Sequence, residues 1–288
     1  NQSIQMILIA DSGSTKTQWR LIPNQSDHID FLSAGLNPYF TERDDFEREI
    51  LGSFPRSFSV YEVEKVWFYG AGCGTKEKQD VVKLYLSKIF ENAGIEVSTD
   101  ILAAARALFQ NNAGFAVILG TGSNVAYYNG TSIIQKTPSL GYALGDEGSG
   151  ANMGNRLIKR WLYHQLPQQL EGELEKFCSL SVAQILSKIY SQKSPSQFLA
   201  SFVPFLKENI GYTEVQSIVR EAFRELVRNH LLCYRGFPNE PVGVIGSVGY
   251  IFQDFFEDEL KQAGGVTSKF LQYPMNELAT FHKNQKRC

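Results

Sequence analysis

Short apolar runs recur along the chain, and several end directly in a turn of glycine, serine and threonine. Residues 115–128 (FAVILGTGSNVAYY) have the form strand, tight turn and strand, and residues 6–22 repeat it around DSGSTKT. Apolar runs of this length between turn signals are typical of buried strands. A similar hairpin in each half of the chain predicts two similar domains, each of which offers a glycine turn to a shared cleft.

The periodicity elsewhere predicts alternating strands and helices. Further strands are expected at residues 28–33, 63–69, 95–99, 131–137, 241–245 and 267–271. Helices are expected at residues 41–54, 76–93, 101–110, 151–165, 168–177, 182–190, 195–208, 213–234, 250–263 and 275–283, where apolar residues recur at helical spacing. We therefore expect an α/β protein with domains at residues 1–112 and 113–288, the second carrying a helical insertion at about 166–235.

Composition limits the kinds of partner. The 288 residues are 43% hydrophobic and 20% charged, which are ordinary values for a globular chain with two cores. The net charge of −2 leaves no basic excess for nucleic acid or an anionic membrane. No apolar run reaches the roughly 20 residues of a membrane helix. We expect a cytoplasmic protein without nucleic-acid or membrane partners.

The cysteines suggest no special chemistry. Cys73, Cys178, Cys233 and Cys288 are widely spaced, without a C-x-x-C pair or a histidine at zinc spacing. Reduced thiols are the expected state, as is usual inside cells.

The glycine turns are the candidate phosphate contacts. Glycine removes the side chains that keep a ligand away from backbone N–H groups. Such turns occur at residues 11–17 (DSGSTKT), 70–74 (GAGCG), 120–124 (GTGSN) and 246–249 (GSVG). The last lies between a strand and a helix, where a helix N-terminus favours the phosphate or adenosine of a nucleotide.

Three further positions carry candidate chemistry with alternatives. Asp100 lies between a strand and a helix, so it is either a helix N-cap or a general base at the end of a strand, and the two roles are compatible. Residues 145–150 (GDEGSG) are either a solvated acidic loop or a glycine loop leading into a helix N-terminus. Asn37 precedes Pro38, which favours an extended loop position that could present its amide to a ligand.

Neither a Walker A loop nor a dinucleotide fingerprint occurs in a fitting context. The order of elements instead resembles the actin, hexokinase and Hsp70 ATPase superfamily. Within it, the motifs at residues 11–17, 98–100 (STD), 120–124 and 145–150 are similar to those of the BadF/BadG/BcrA/BcrD family, and most similar to N-acetylglucosamine kinases.

That resemblance implies a fold and a set of site residues. The fold would be two duplicated ribonuclease H-like (actin-like ATPase) domains with mixed sheets, flanking helices and an interdomain cleft for ATP. Asp11 would handle Mg²⁺, and Asp100 would be the base. ATP would contact Gly13, Thr15, Lys16, Gly120, Thr121, Gly122, Gly246, Ser247 and Gly249. The amino sugar would contact Asn37, Asp100, Ser123, Asn124, Gly141 and Asp146.

The expected reaction is transfer of phosphate from ATP to the 6-hydroxyl of an amino sugar. N-acetylglucosamine is the leading substrate, ahead of N-acetylmuramic acid, glucosamine and glucose. One alternative is an ATP-driven activator of a reductase or dehydratase, but the strand-helix seam at residues 98–103 lacks the cysteine that its iron–sulfur cluster needs. The other is a nucleotide-binding regulator without catalysis. A homodimer is expected only from the general frequency of dimers.

Overall fold

The computed structural model describes residues 6–13, 15–24, 27–190 and 194–285. The chain divides into two compact units, Asn1–Gln110 with Pro274–Cys288, and Asn111–Tyr273. Among the described residues, no helix combines the length and the apolarity that crossing a bilayer requires. Cys73, Cys178 and Cys233 are free thiols, and Cys288 lies outside the described residues.

The first unit is built on a five-stranded mixed sheet. Its strands are β1 (Met6–Ser12), β2 (Lys16–Pro23), β3 (Ile29–Ala34), β4 (Val63–Gly70) and β5 (Gly94–Thr99), in the spatial order β3-β2-β1-β4-β5. Its helices include α1 (Arg43–Ser53), α2 (Lys76–Ile89) and α3 (Asp100–Phe109). The first three strands form an antiparallel meander, whereas β4 and β5 run parallel to β1. The central strand β1 is almost entirely buried, which explains its continuous apolar run.

The second unit repeats this sheet. Its strands are β6 (Ala113–Leu119), β7 (Ser123–Asn129), β8 (Ile133–Lys136), β9 (Val242–Ile245) and β10 (Thr267–Leu271), in the order β10-β9-β6-β7-β8. Again the first three strands form an antiparallel meander, and the last two run parallel to the first. The predicted duplication of an α/β domain is therefore confirmed in strand order and direction.

A run of helices separates β8 from β9 in the second unit. The helices up to this strand are α4 (Gly141–Leu144), α5 (Gly150–Leu162), α6 (Gln168–Phe177), α7 (Val182–Tyr190), α8 (Pro195–Ala200), α9 (Val203–Glu208) and α10 (Thr213–Leu226). After β9 follow α11 (Ser247–Ile251) and α12 (Gln253–Gln262). The apolar stripe of α10 is buried in the core of this unit, as the sequence predicts.

Two helix predictions in this run are wrong in detail. The single helix expected at residues 195–208 is broken between α8 and α9, because Pro204 lacks an N–H and its ring disfavours a helical residue four positions earlier. The helix expected at residues 213–234 ends as an α-helix at Leu226 and continues as a π-helical turn, Val227–Leu231.

The last helix, α13 (Met275–Gln285), belongs to the first unit, whereas the sequence grouped it with the second half. It packs against α3, and the Gln110 side chain donates a hydrogen bond to the Glu277 carbonyl at 3.2 Å. Arg20 on β2 donates to the Asn276 side chain at 2.7 Å. Sequence order alone could not reveal this return of the chain.

His282 anchors α13 beneath the first sheet. Its ring stacks on Trp67 with centroids 4.0 Å apart, and its Nε2 lies 2.9 Å from the Tyr69 hydroxyl. Arg106 donates to the same hydroxyl at 2.6 Å, so the hydroxyl hydrogen is available for His282. Burial, together with the positive charges of Arg106 and Lys65, lowers the pKa of His282 to about 3.

This lowered pKa predicts a pH dependence of stability. Between pH 6.5 and about 3, His282 is protonated in the unfolded chain but stays neutral in the folded chain. The free energy of unfolding should therefore fall as the pH falls through that window. The slope should be on the order of 1.4 kcal/mol per pH unit. His282→Gln, which can still accept from Tyr69 but does not titrate, should flatten it in chemical denaturation, whereas His164→Gln at an exposed histidine should not. Equal slopes in both variants would contradict the assignment.

A glycine allows α5 to touch α8. A Cβ atom at Gly154 would lie 1.9 Å from the Leu199 carbonyl oxygen, which is backbone and has no room to move. Gly154→Ala should therefore destabilise the second unit by about 1 to 3 kcal/mol.

The matched control for this prediction is Gly172→Ala in α6, where a Cβ atom would meet nothing within 4 Å. That change should be neutral or stabilise by up to about 1 kcal/mol because alanine is the better helix former. Thermal unfolding of both variants checks the pair. A Gly154→Ala protein as stable as the parent would refute the close packing.

Candidate functional site

The candidate acids of the first unit lie at one edge of its sheet. Asp11 is paired with Tyr69 across β1 and β4, and Gly70 is paired with Thr99 across β4 and β5. Asp100 follows Thr99 as the first residue of α3. Parallel strands present their carboxyl ends on the same edge, which is where α/β folds bind ligands.

Asp11 and Asp100 influence each other electrostatically. Burial is the main cause that raises the pKa of Asp11 to about 7, the negative charge of Asp100 adds to it, and Lys16 acts in the opposite direction. Two neighbouring carboxylates in a partly buried edge are stable together when a cation neutralises them. Mg²⁺ needs only one or two protein carboxylates when phosphates and waters complete its shell. These residues therefore fit a Mg²⁺ ion.

Asp100 is not the N-cap residue of α3, although its carboxylate accepts one N–H group of the first turn. The Thr99 hydroxyl accepts the Leu102 N–H at 3.3 Å and is the N-cap, while Asp100 Oδ1 accepts the adjacent Ile101 N–H at 2.7 Å. Of the two roles considered for Asp100, the capping role thus belongs to its neighbour. The carboxylate is half-buried at the sheet edge.

A buried hydroxyl chain holds the loop that carries Asn37. Thr17 donates to the Ala34 carbonyl at 2.9 Å, and its oxygen lies 2.8 Å from the Ser12 hydroxyl. Since the Thr17 hydrogen is used, Ser12 donates to Thr17 and accepts the Leu36 N–H at 3.0 Å. The ends of β1, β2 and β3 are therefore tied together next to Asp11.

Asn37 packs on the glycine turn at residues 70–74. Its Oδ1 accepts the Tyr39 N–H at 3.0 Å. Gly72 has φ +85°, and a Cβ atom there would lie 2.4 Å from Asn37 Oδ1. The positive φ and this contact together account for glycine at residue 72. A role of Asn37 in binding sugar stays a prediction.

The turn between β1 and β2 is closed by its own backbone. The Gly13 N–H donates to the Lys16 carbonyl at 3.0 Å, and the Thr15 carbonyl accepts the Gly35 N–H at 3.1 Å. Gly13, Thr15 and Lys16 are exposed, and Ser14 lies outside the described residues. These residues are accessible for the phosphate contacts predicted from sequence.

The turn between β6 and β7 is joined to the start of α5. The carbonyls of Gly120 and Thr121 accept the N–H groups of Gly150 and Ala151 at 2.9 and 3.1 Å. The Ser149 hydroxyl caps the next N–H of the helix. The helix N-terminus considered as an anion site is therefore satisfied within the chain, and Gly120, Thr121 and Gly122 remain the candidate phosphate contacts at this edge.

The fourth glycine motif is the start of a helix. The sequence placed the helix at residue 250, but α11 begins at Ser247 with Gly246 as its N-cap. A Cβ atom at Gly246 would lie 2.3 Å from the Leu119 carbonyl oxygen, and one at Gly249 would lie 2.5 Å from Val244. Close packing of α11 on the sheet therefore accounts for these glycines, and their contact with a nucleotide stays a prediction.

A pocket in the second unit brings together three of the predicted sugar contacts. It has a volume of about 230 Å³. Its polar wall includes Ser123, Asn124, Asp146, Glu147, Asn229 and His230. Gly141, also predicted as a sugar contact, does not line the pocket. It is the first residue of α4, and the preceding residue, Leu140, does line the pocket.

Asn124 lines this pocket and has an unused acceptor. Its Oδ1 atom is buried and has no hydrogen-bond partner. Leaving a buried amide oxygen unpaired costs about 1 to 3 kcal/mol, so such atoms commonly await a ligand or a water. A hydroxyl or amide donor in the pocket would satisfy it.

Asp146 is held in an unusual conformation beside Asn124. Its φ is +54°, a left-handed value that non-glycine residues seldom adopt. Its Oδ1 lies 3.4 Å from the Ser123 N–H, and a Cβ atom at Gly122 would lie 3.0 Å from its Oδ2. Burial is the main cause of its raised pKa; Glu147 also raises it, whereas Ser123 and His230 lower it.

Sequence reasoning missed part of the polar wall. Glu147 lies inside the GDEGSG motif but received no role, and its Oε2 is 2.9 Å from His230 Nε2. Asn229 and His230 lie in the π-helical turn that was read as the end of a long core helix. A histidine among polar residues on that helix was the available signal, but the pattern does not show that it faces Glu147.

Comparison with known proteins decides the family. A proposed N-acetylglucosamine kinase from Porphyromonas gingivalis is 35% identical, with a TM-score of 0.92, and the match covers 98% of this chain and 100% of that one. The chain belongs to the N-acetylglucosamine kinase family. The recognition made from its motifs is thus confirmed.

Other members of this family are more distant. A proposed N-acetylglucosamine kinase from Chromobacterium violaceum is 18% identical with a TM-score of 0.72, over 97% of this chain and 99% of that one. The N-acetylmuramic acid/N-acetylglucosamine kinase of Clostridium acetobutylicum is 23% identical over 214 residues, 68% of this chain and 69% of its own. No family model matches the chain. The fold is that of actin-like ATPases and sugar kinases.

The contact between Gly122 and Asp146 predicts a substitution effect in this sugar kinase. Gly122→Ala would push its Cβ against the Asp146 carboxylate and displace it from Ser123. We expect the dissociation constant for the sugar, measured by calorimetry without ATP, to rise about 10-fold, as loss of one charged hydrogen bond would give. Gly211→Ala, where a Cβ atom would meet nothing within 4 Å, is the control and should leave it unchanged. An unaltered affinity in Gly122→Ala would argue against Asp146 as a sugar contact.

Proposed function

We propose that this chain is an ATP-dependent kinase that phosphorylates the 6-hydroxyl of an amino sugar, with N-acetylglucosamine as its main substrate. The observation that carries the proposal is the pocket in which Asn124 keeps an unpaired buried oxygen beside the Asp146 carboxylate. Both groups accept hydrogen bonds, and a sugar presents several hydroxyl donors. A site of this kind rejects analogues that lack those hydroxyls.

The relatives favour the acetylated amino sugar. The Porphyromonas protein is named as a proposed N-acetylglucosamine kinase. The Clostridium enzyme is named as a kinase of both N-acetylmuramic acid and N-acetylglucosamine. A family-wide preference would make the acetamido group part of what the pocket recognises. Ser123 and Asn124 supply polar groups suited to an amide as well as to hydroxyls.

The first unit supplies the groups for ATP and the metal. Asp11 would hold Mg²⁺, whose chemistry is to bridge and neutralise phosphate oxygens. Lys16 would add positive charge near the phosphates, and Gly13 and Thr15 would contact them through an exposed turn. In the second unit, residues 120–122 and 246–249 would contribute further contacts from adjacent strand ends.

Asp100 would act as the general base. The 6-oxygen of the sugar attacks the γ-phosphorus, the bond to the β,γ-bridging oxygen breaks, ADP leaves, and the hydroxyl proton passes to the Asp100 carboxylate. The position of Asp100 at the carboxyl edge of the sheet, close enough to Asp11 to raise its pKa, supports this role. General-base help of this kind typically contributes about 10² to 10⁴ in rate.

A coupled assay of ADP formation over a panel of sugars tests the function. N-acetylglucosamine should give the highest kcat/KM, ahead of N-acetylmuramic acid, glucosamine and glucose. ATP consumption that stays flat when every sugar is added would contradict a sugar kinase and favour a nucleotide-binding regulator.

Asp100→Asn tests the base. We expect kcat to fall about 10²- to 10⁴-fold with N-acetylglucosamine, because the amide keeps the shape but cannot take the proton. Asp254→Asn, at an exposed aspartate that likewise lies in the first turn of a helix, is the control and should retain full activity. Thermal unfolding should show both variants folded. An Asp100→Asn enzyme with parental kcat would remove Asp100 from the mechanism.

A further inference from the structure

A second layer of polar residues, a hydrogen-bonded group of Thr137, Glu147 and His230, lines the same pocket as Asp146. Its members come from separate parts of the second unit: Thr137 follows β8, Glu147 lies in the loop before α5, and His230 lies in the π-helical turn after α10. The Glu147 and His230 side chains are only 14% and 15% exposed. π-Helical turns are frequent at functional sites because they redirect side chains out of the helical register.

The hydrogen bonds of this layer have a defined direction. Burial alone would raise the pKa of Glu147, but hydrogen bonds from His230 and Asn229 outweigh it and hold that pKa below its ordinary value. Glu147 is therefore an acceptor, so His230 Nε2 donates to its Oε2 at 2.9 Å and Asn229 donates to its Oε1 at 3.0 Å. The other ring nitrogen, Nδ1, lies 2.7 Å from the Thr137 hydroxyl.

His230 consequently has no ring nitrogen left for a ligand. Both are engaged by protein groups, so the residue lines the pocket without offering it a polar contact of its own. Its effect on a bound sugar must pass through the residues that it holds. One of these is Glu147, which follows Asp146 directly in the chain.

Asp146 needs such support. A non-glycine residue at φ +54° is strained and persists where its surroundings determine it. The loop that follows is held against the end of α10 at two points: the glutamate-histidine pair, and Gly148, whose Cβ position lies 3.0 Å from the Leu226 side chain. The Ser149 N–H closes the turn on the Asp146 carbonyl at 3.0 Å.

We propose that His230, through Glu147 and Thr137, is a positioning residue that fixes the Asp146 carboxylate for sugar binding. The inference rests on the proposed function, in which Asp146 contacts the sugar. It assigns a role in substrate affinity to the π-helical turn, whose Val227 and Leu231 also pack in the core of the second unit. Because His230 has no assigned contact with the nucleotide or with Asp100, substituting it should leave the KM for ATP unchanged.

A double-mutant cycle tests this coupling. His230→Asn is too short to bridge Thr137 and Glu147, so the KM for N-acetylglucosamine should rise about 10-fold while the KM for ATP changes less than about 2-fold. Asp146→Asn should then cost about 10-fold less in kcat/KM in the His230→Asn background than in the parent, because its carboxylate is already misplaced. Thr137→Val, which removes only the hydroxyl, should give a smaller change in the same direction.

The matched control is a second histidine-glutamate pair. His164 Nδ1 lies 3.3 Å from Glu171 Oε2 at the surface, and His164 also has a left-handed φ of +53°. His164→Asn should change neither Michaelis constant. Thermal unfolding separates loss of folding from loss of affinity; if His230→Asn does not fold, Thr137→Val carries the cycle with Asp146→Asn.

The outcomes distinguish this inference from the proposed function. If the effects of His230→Asn and Asp146→Asn multiply, or if both Michaelis constants rise together, His230 acts only on the structure and the positioning role is overturned. If the parent enzyme phosphorylates no N-acetylglucosamine, the proposed substrate fails instead, and the cycle is run with the panel sugar that is accepted. Non-multiplying effects on that sugar would still support the coupling.

Discussion

The charge of two neighbouring carboxylates at one sheet edge is the constraint on which the account depends. Asp11 and Asp100 end adjacent parts of the first sheet, and burial together with their mutual repulsion raises the pKa of Asp11 to about 7. A fold selected for stability alone would avoid this arrangement, because holding two like charges close together at a half-buried edge costs free energy. Perturbed carboxyls of this kind cluster at functional sites. The cation that would relieve the repulsion is the one that phosphoryl transfer requires.

The surrounding structure is arranged to maintain this edge. The Ser12 and Thr17 hydroxyls tie three strand ends together, and Thr99 and Asp100 each accept one N–H group at the start of α3. The second unit has the same strand order but uses its edge differently. There the carbonyls of Gly120 and Thr121 accept hydrogen bonds from the first N–H groups of α5. The polar pocket includes Asn124 and Asp146.

Local signals predicted the repeated sheets well. Apolar runs bounded by glycine turns identify β1, β2, β6 and β7, because buried strands and tight turns are encoded by adjacent residues. Features that depend on distant contacts were missed. The apolar stripe of α10 continues smoothly into residues 227–231, so nothing local marks the π-helical turn. The docking of α13 on α3 depends on contacts between residues far apart in sequence.

In the candidate site, too, the residues with local signals were predicted and the contacts between distant residues were missed. Asp146 and Asn124 lie in motifs whose residue types suggest ligand contacts, and the structure brings them into one pocket. Several glycines, however, are explained by packing: Gly72 against Asn37, and Gly246 against Leu119. A glycine that admits a ligand and one that admits a neighbouring backbone look the same in sequence. Glu147 lies in a motif and His230 in a helix, but nothing in the sequence shows that the two residues meet.

The most direct test is a crystal structure of the protein with Mg²⁺, a non-hydrolysable ATP analogue and N-acetylglucosamine. The account predicts that the sugar 6-hydroxyl lies within hydrogen-bond distance of the Asp100 carboxylate, that Asp11 lies on the Mg²⁺ side of the phosphates, and that Asn124 Oδ1 accepts a hydrogen bond from the sugar. A sugar bound away from Asp100, or a metal held without Asp11, would contradict it.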